Sequence, residues 1–87
     1  MYKDRMEQSS NIVGPRVKEA RVRIGMSQAE LAARLELEHG FSLDQSDISE
    51  IERGVRGVRD VEVVALAAAL GVSLTALLDT TNHAQNR

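Results

Sequence analysis

Glycines at positions 25, 40, 54 and 71 each close a run of helix-forming residues, and each is soon followed by Ser or Asp. Glycine readily takes the left-handed conformation that stops a helix, and Ser and Asp are strong helix N-caps. The chain is thereby cut into short helical pieces. The first is expected to start near Pro15, which suits a helix's first position, with Gly14 as cap and Val17, Ala20 and Ile24 at helical spacing. Ser27-Gln28-Ala29-Glu30 is a capping box that opens the second, in which Leu31 and Leu35 share a stripe and Ala32 and Ala33 allow close approach. Asp44 is placed to cap QSDISEIER, whose buried face is Ile48 and Ile51. Asp60 then caps VEVVALAAAL, and Ser73 caps LTALLD, whose apolar face is Leu74, Leu77 and Leu78. The only strand-like alternation, VEVV, lies inside a better helical pattern. The expected fold is all-α, five short helices over residues 12–79, with a loose arm at 1–11 and a frayed tail at 80–87.

Eighty-seven residues with one Phe, one Tyr and no Trp must build their core from Leu, Val, Ile and Ala. Aromatic platforms for stacking single-stranded bases are therefore almost lacking. With no cysteine, disulfides and thiolate-held zinc are excluded. His39 and His83 stand apart, one at a helix end and one in the tail, so no metal site is expected. Serines fall at caps and helix starts without a His–Asp partner, and no glycine-rich phosphate loop occurs, so no enzyme, cofactor or small-molecule substrate is expected. No signal core or membrane-length apolar run is present, which reads as a cytoplasmic protein. Net charge is −2, but the charge is unevenly spread. Arg16, Lys18, Arg21 and Arg23 face only Glu19 in the first helix, whereas Arg34 stands against Glu30, Glu36, Glu38, Asp44 and Asp47 further on. Local patches, not net charge, must govern any contact with phosphate.

Three pieces occur in a fixed order: Ser27-Gln28-Ala29-Glu30-Leu31-Ala32, Ile51-Glu52-Arg53-Gly54 and Ala69-Leu70-Gly71-Val72-Ser73. Together they resemble the lambda-repressor-like (Cro/CI, XRE-type) helix-turn-helix family, over roughly residues 14 to 78. The resemblance implies a compact five-helix domain that binds double-stranded DNA, with helix two across the backbone and helix three in the major groove. It implies a structural salt bridge between Arg21 and Glu52. It also implies that Gln28 holds a phosphate at a helix start, where free N–H groups and partial positive charge favour an anion. Arg16, Arg53, Arg56 and Arg59 are further candidates for the DNA backbone. By residue-by-residue match the base-reading positions are Gln45, Ser46, Asp47, Ser49 and Glu50. Gln45 is the best reader, because its amide can bond adenine N6 and N7 together.

Two departures from the family pattern stand out. Asp47 and Glu50 occupy positions where the family commonly carries Thr and Lys or Arg. Carboxylates repel phosphate but can accept from cytosine N4. Either they discriminate between bases while arginines hold the backbone, or this surface binds DNA only weakly. The second departure is the stretch between helices two and three, about six residues longer than the usual tight turn. Extension of helix two, with Leu37 and Phe41 folding back onto it, would absorb the excess.

The expected function is a sequence-specific DNA-binding transcriptional regulator acting as a repressor. Its partners are double-stranded DNA and a second copy of the chain, since one such domain makes few contacts and the family usually reads paired half-sites. Val61, Val64, Leu74 and Ala76 are the candidate dimer interface, the alternative being that the valines pack inside the monomer against Val58 and Leu70. A different class of function remains open on the acidic face of helices two and three. The same scaffold can serve as a protein-interaction module, such as an antitoxin or anti-repressor.

Overall fold

The computed structural model describes residues 11–79. The arm expected before residue 11 and the tail expected over 80–87 lie outside the described residues. Five helices follow in order: α1 (Gly14–Arg23), α2 (Gln28–His39), α3 (Gln45–Arg53), α4 (Asp60–Leu70) and α5 (Leu74–Leu78). No strand occurs among the described residues.

Most helix ends follow the local chemistry of the chain. The Ser27 hydroxyl accepts from the Glu30 N–H at 3.0 Å, and the Glu30 carboxylate accepts from the Ser27 N–H at 2.7 Å. Ser73 accepts from the Ala76 N–H at 3.0 Å. α3 ends at Gly54, whose φ of +77° only glycine adopts without strain. Two caps differ from expectation. Gly14 and Asp60 are the first residues of their helices, and Val13 and Arg59 hold the cap positions. For α1 the side-chain acceptor comes from further back. Asn11 Oδ1 takes the N–H groups of Val13 and Gly14 at 3.2 and 2.9 Å. Asp60 instead places its charge in the first turn, where the helix dipole favours an anion.

Asn11 therefore does not belong to a loose arm. Its Nδ2 donates to the carbonyls of Ile51 and Arg56, both at 2.8 Å, tying the start of α1 to the end of α3 and the loop beyond it. The two helices approach closely here. A Cβ on Gly14 would collide with the Ile51 carbonyl oxygen and lie 3.0 Å from that of Glu52.

The core is aliphatic. Val17, Leu31, Leu35, Ile48, Ile51, Leu66 and Leu77 are all essentially inaccessible, each contributing about 1.5–3 kcal/mol relative to exposure. α3 packs on both α1 and α2, α4 rests on α2 and α1, and α5 closes against α1 and α4. α2 runs on to His39, and residues 40–44 connect it to α3. Phe41 packs partly against the core, with its N–H on the Leu35 carbonyl at 3.2 Å. Leu37 does not fold back. It is 85% exposed, because two residues beyond Leu35 is the opposite side of the helix. Ile24 and Ala33 are exposed as well, the former because α1 has already ended.

Gly14→Ala should destabilise the protein by about 1–3 kcal/mol, the usual cost of forcing extra volume into a packed contact. Urea unfolding measures it, and an unchanged midpoint would refute the close approach.

Candidate nucleic-acid interface

Around α3 a network of charged and polar side chains joins three helices. Arg21 on α1 meets Glu52 in a bidentate pair, Nε to Oε2 at 2.6 Å and Nη2 to Oε1 at 3.0 Å. The third arm of the guanidinium donates to the Met26 carbonyl at 2.8 Å, fixing the turn into α2. Glu52 is buried, and its Oε1 also accepts from Gln28 Nε2 at 3.0 Å. The hydrogen bond to Glu52 raises the Arg21 pKa despite desolvation, so the guanidinium stays charged. α1, α2 and α3 are thus joined at a single carboxylate.

The network continues outward. Gln28 Oε1 faces Gln45 Nε2 at 3.4 Å, a long contact between the first residues of α2 and α3. Gln28, Gln45, Ser46, Ser49, Glu50 and Arg53 line one open concavity of about 330 Å³. The α3 members share a face because helical neighbours recur three and four residues apart. Arg53 Nε donates to Ser49 Oγ at 3.2 Å, which leaves most of the guanidinium facing solvent. This surface combines two amides, two hydroxyls, one cation and one carboxylate, with two helix starts beside it. It can donate to and accept from base edges while offering donors to phosphate.

Other candidates fall elsewhere. Asp47 is on the flank of α3. Its Oδ2 accepts from the Asp44 N–H at 3.0 Å, while Asp44 Oδ1 accepts from the Asp47 N–H at 3.0 Å. Asp47 Oδ1 is 4.0 Å from Arg56 Nε. Arg16 is not with the others. Its side chain is 13% exposed, 3.5 Å from Glu19, in the cleft between α1 and α5 that Ala76 and Leu77 also line. Val61 and Val64 are exposed and line a shallow apolar groove with His39, Phe41, Ala65 and Ala68, so they do not pack inside the monomer. Leu74 and Ala76 are exposed too, but do not line that groove.

A helix-turn-helix family model matches residues 17–77. The chain belongs to the lambda-repressor-like, XRE-type helix-turn-helix family. Neither curated proteins nor solved structures give a match. Membership makes this helix-turn-helix protein a DNA-binding regulator, with α2 and α3 as the paired helices. No helix among the described residues is long and apolar enough to cross a membrane.

Sequence reasoning missed Glu62. It is 1% exposed, yet it is charged and binds two arginines. Arg56 donates Nη1 to Oε1 at 3.2 Å and Nη2 to Oε2 at 3.1 Å, and Arg59 Nη2 donates to Oε2 at 3.0 Å. The Arg59 backbone N–H adds a bond to Oε1 at 3.0 Å. Burial pushes the carboxyl pKa up, but the hydrogen bonds from Arg56 and Arg59 outweigh it and hold the value at about 2. One signal was available: Arg59-x-x-Glu62 has the spacing at which a third-position Glu reaches back to the cap N–H. The other half of a capping box is impossible, since Arg accepts nothing.

A carboxylate with a depressed folded pKa stabilises the fold above its unfolded value, and that stability is lost as pH falls through the folded one. Glu62 therefore contributes fully above about 4.5 and progressively less toward about 2. Glu62→Gln should flatten the stability–pH curve across that window in denaturant titrations. A curve parallel to that of the unsubstituted protein would sink this assignment.

Proposed function

We propose that this protein is a repressor that binds duplex operator DNA as a homodimer, with α3 in the major groove. The observation that carries this reading is the single face shared by Gln28, Gln45, Ser46, Ser49, Glu50 and Arg53. Gln45, steadied by Gln28, reads an adenine, and Ser46 and Ser49 reach bases or adjacent phosphates. Glu50 accepts from a cytosine amino group. Gln28, Arg53 and Arg59 hold the backbone, and Asp47 acts at the flank. Arg16 is a weaker candidate, given its burial beside α5.

The acidic face of α2 and α3 favours an alternative, a module for binding a protein partner, and Glu36 and Glu38 on α2 are exposed. Within α3 most of the acidity is engaged internally. Asp44 and Asp47 cap the helix reciprocally, and Glu52 serves Arg21 and Gln28. Only Glu50 points a carboxylate into the reading face without a hydrogen bond or ion pair among the described residues. This supports the DNA reading over the protein-interaction one.

For the dimer, the exposed Val61 and Val64 offer an apolar strip on α4, extended by the nearby Phe41 and Ala68. Leu74 and Ala76 on α5 are exposed apolar candidates outside that strip. Dimerisation through this region places two reading helices on paired half-sites.

Selection from a random duplex pool at low salt should enrich a roughly palindromic motif. Gln45→Ala should lose preference at one base pair, costing about 1–3 kcal/mol there. Enrichment of nothing, or binding equal on every sequence, would refute operator reading. Val64→Asp should shift the protein toward monomer in sedimentation equilibrium and weaken operator binding, with the thermal midpoint nearly unchanged. A monomer at high micromolar concentration with and without DNA would rule out the dimer.

A further inference from the structure

Arg56 is the most tightly held of the arginines that follow α3. Its carbonyl accepts from Asn11 Nδ2, and its Nη1 donates to the Gly57 carbonyl at 3.0 Å as well as to Glu62. With Nη2 also on Glu62, both terminal nitrogens are bound to the protein, and the side chain is 26% exposed. Nε is left facing Asp47 Oδ1 at 4.0 Å. Arg59 differs sharply. Its side chain is 71% exposed, with Nη2 on Glu62 and the rest of the fork in solvent.

A phosphate ligand must present its fork outward. The N–H groups of Arg56 not spent on Glu62 and Gly57 are that of Nε, which faces Asp47, and the second on Nη2, so turning the whole fork outward would take it from Glu62, whose carboxylate is buried and would keep only Arg59. It would also leave Asp47 facing the phosphates without a cation. We propose that Arg56 is the internal counter-ion of the recognition helix, not one of its phosphate ligands, and that Glu62 is the positioning residue that holds it beside Asp47. The inference rests on the DNA-binding reading and adds the means by which an acidic α3 approaches a polyanion.

The arrangement fits the electrostatics on both sides. Arg56 is attracted by Asp47 and Glu50 in addition to its main hydrogen bond with Glu62, and these interactions raise its pKa, so it is charged at every relevant pH. Asp47 then accepts from the Asp44 N–H at one oxygen and has Arg56 Nε 4.0 Å from the other. Its role is to shape and cap α3. Base discrimination by a carboxylate falls to Glu50 alone.

The test is a double-mutant cycle on the selected operator, with Arg56→Gln, Asp47→Asn and the pair, each measured over a range of salt. Arg56→Gln is expected to weaken binding about tenfold, with Asp47→Asn gaining clearly more affinity in that background than alone. The slope of log affinity against log salt should stay at the wild-type value, because no phosphate contact is lost. Glu62→Gln should free Arg56 for a phosphate and steepen that slope by about 0.9, an effect that Arg56→Gln on top of it abolishes. Such a gain is not expected of a residue that only stabilises the fold. A slope that falls by about 0.9 in Arg56→Gln, with additive effects in the cycle, would make Arg56 an ordinary phosphate ligand and overturn the inference while leaving operator binding intact. Failure of the wild-type protein to select any site would overturn both.

Discussion

One carboxylate sets the geometry of the candidate interface. Glu52 is buried on α3, held by the two-pronged grip of Arg21 from α1 and by the amide of Gln28 from α2. A buried ion pair adds little net stability, but losing one partner strands a charge and costs about 3–5 kcal/mol. The pair therefore acts as a registration device. It allows one placement of α3 against the other two helices and penalises the rest. Because Gln28 both binds Glu52 and faces Gln45, the registration extends from the core to the exposed face.

The loop after α3 follows the same logic at a second carboxylate. Glu62 gathers Arg56 and Arg59 from the chain that leads into α4, while Asn11 fixes the Arg56 carbonyl from the other side. A segment with little apolar content of its own is thus ordered by charge-assisted hydrogen bonds, which are stronger than neutral ones. The arginines that sequence spacing presents as three equivalent surface cations become three different objects. Arg53 lines the reading face, Arg56 is embedded, and Arg59 stands largely in solvent.

Features decided within one turn of helix could be read from the sequence. The Ser27 capping box, the Ser73 cap, the glycine stops, the five helices and the buried pair Ile48 and Ile51 all depend on neighbours a few residues apart. The family match also names Gln45, Ser46, Ser49 and Glu50, which line one concavity, whereas it includes Asp47, which lies on the flank, and leaves Arg53 to the backbone. What failed depends on partners distant in sequence. Glu62 lies between valines and reads as a solvated helix residue until Arg56 is folded onto it. Arg16 looks like any basic residue on α1 until α5 closes over that side. Leu37 is expected to fold back because the long connector has to be absorbed, although its angle from Leu35 already argues otherwise. Asn11 reads as the end of a polar, patternless arm, because nothing nearby in sequence calls for its two donors.

Asn11 also determines where the chain enters the fold. Its amide is bound to the carbonyls of Ile51 and Arg56, so the polypeptide arrives beside the carboxyl end of α3, whereas the last described residues belong with α5 on α1 and α4. The two ends are therefore unequal as attachment points. A bulky fluorophore or fused domain joined close ahead of Asn11 starts beside the carboxyl end of α3, which carries Arg53 of the candidate interface. The same group joined after Asp79 starts from the α5 side. Of the two described ends, the one at Asp79 leaves the candidate interface the more room for an attached group.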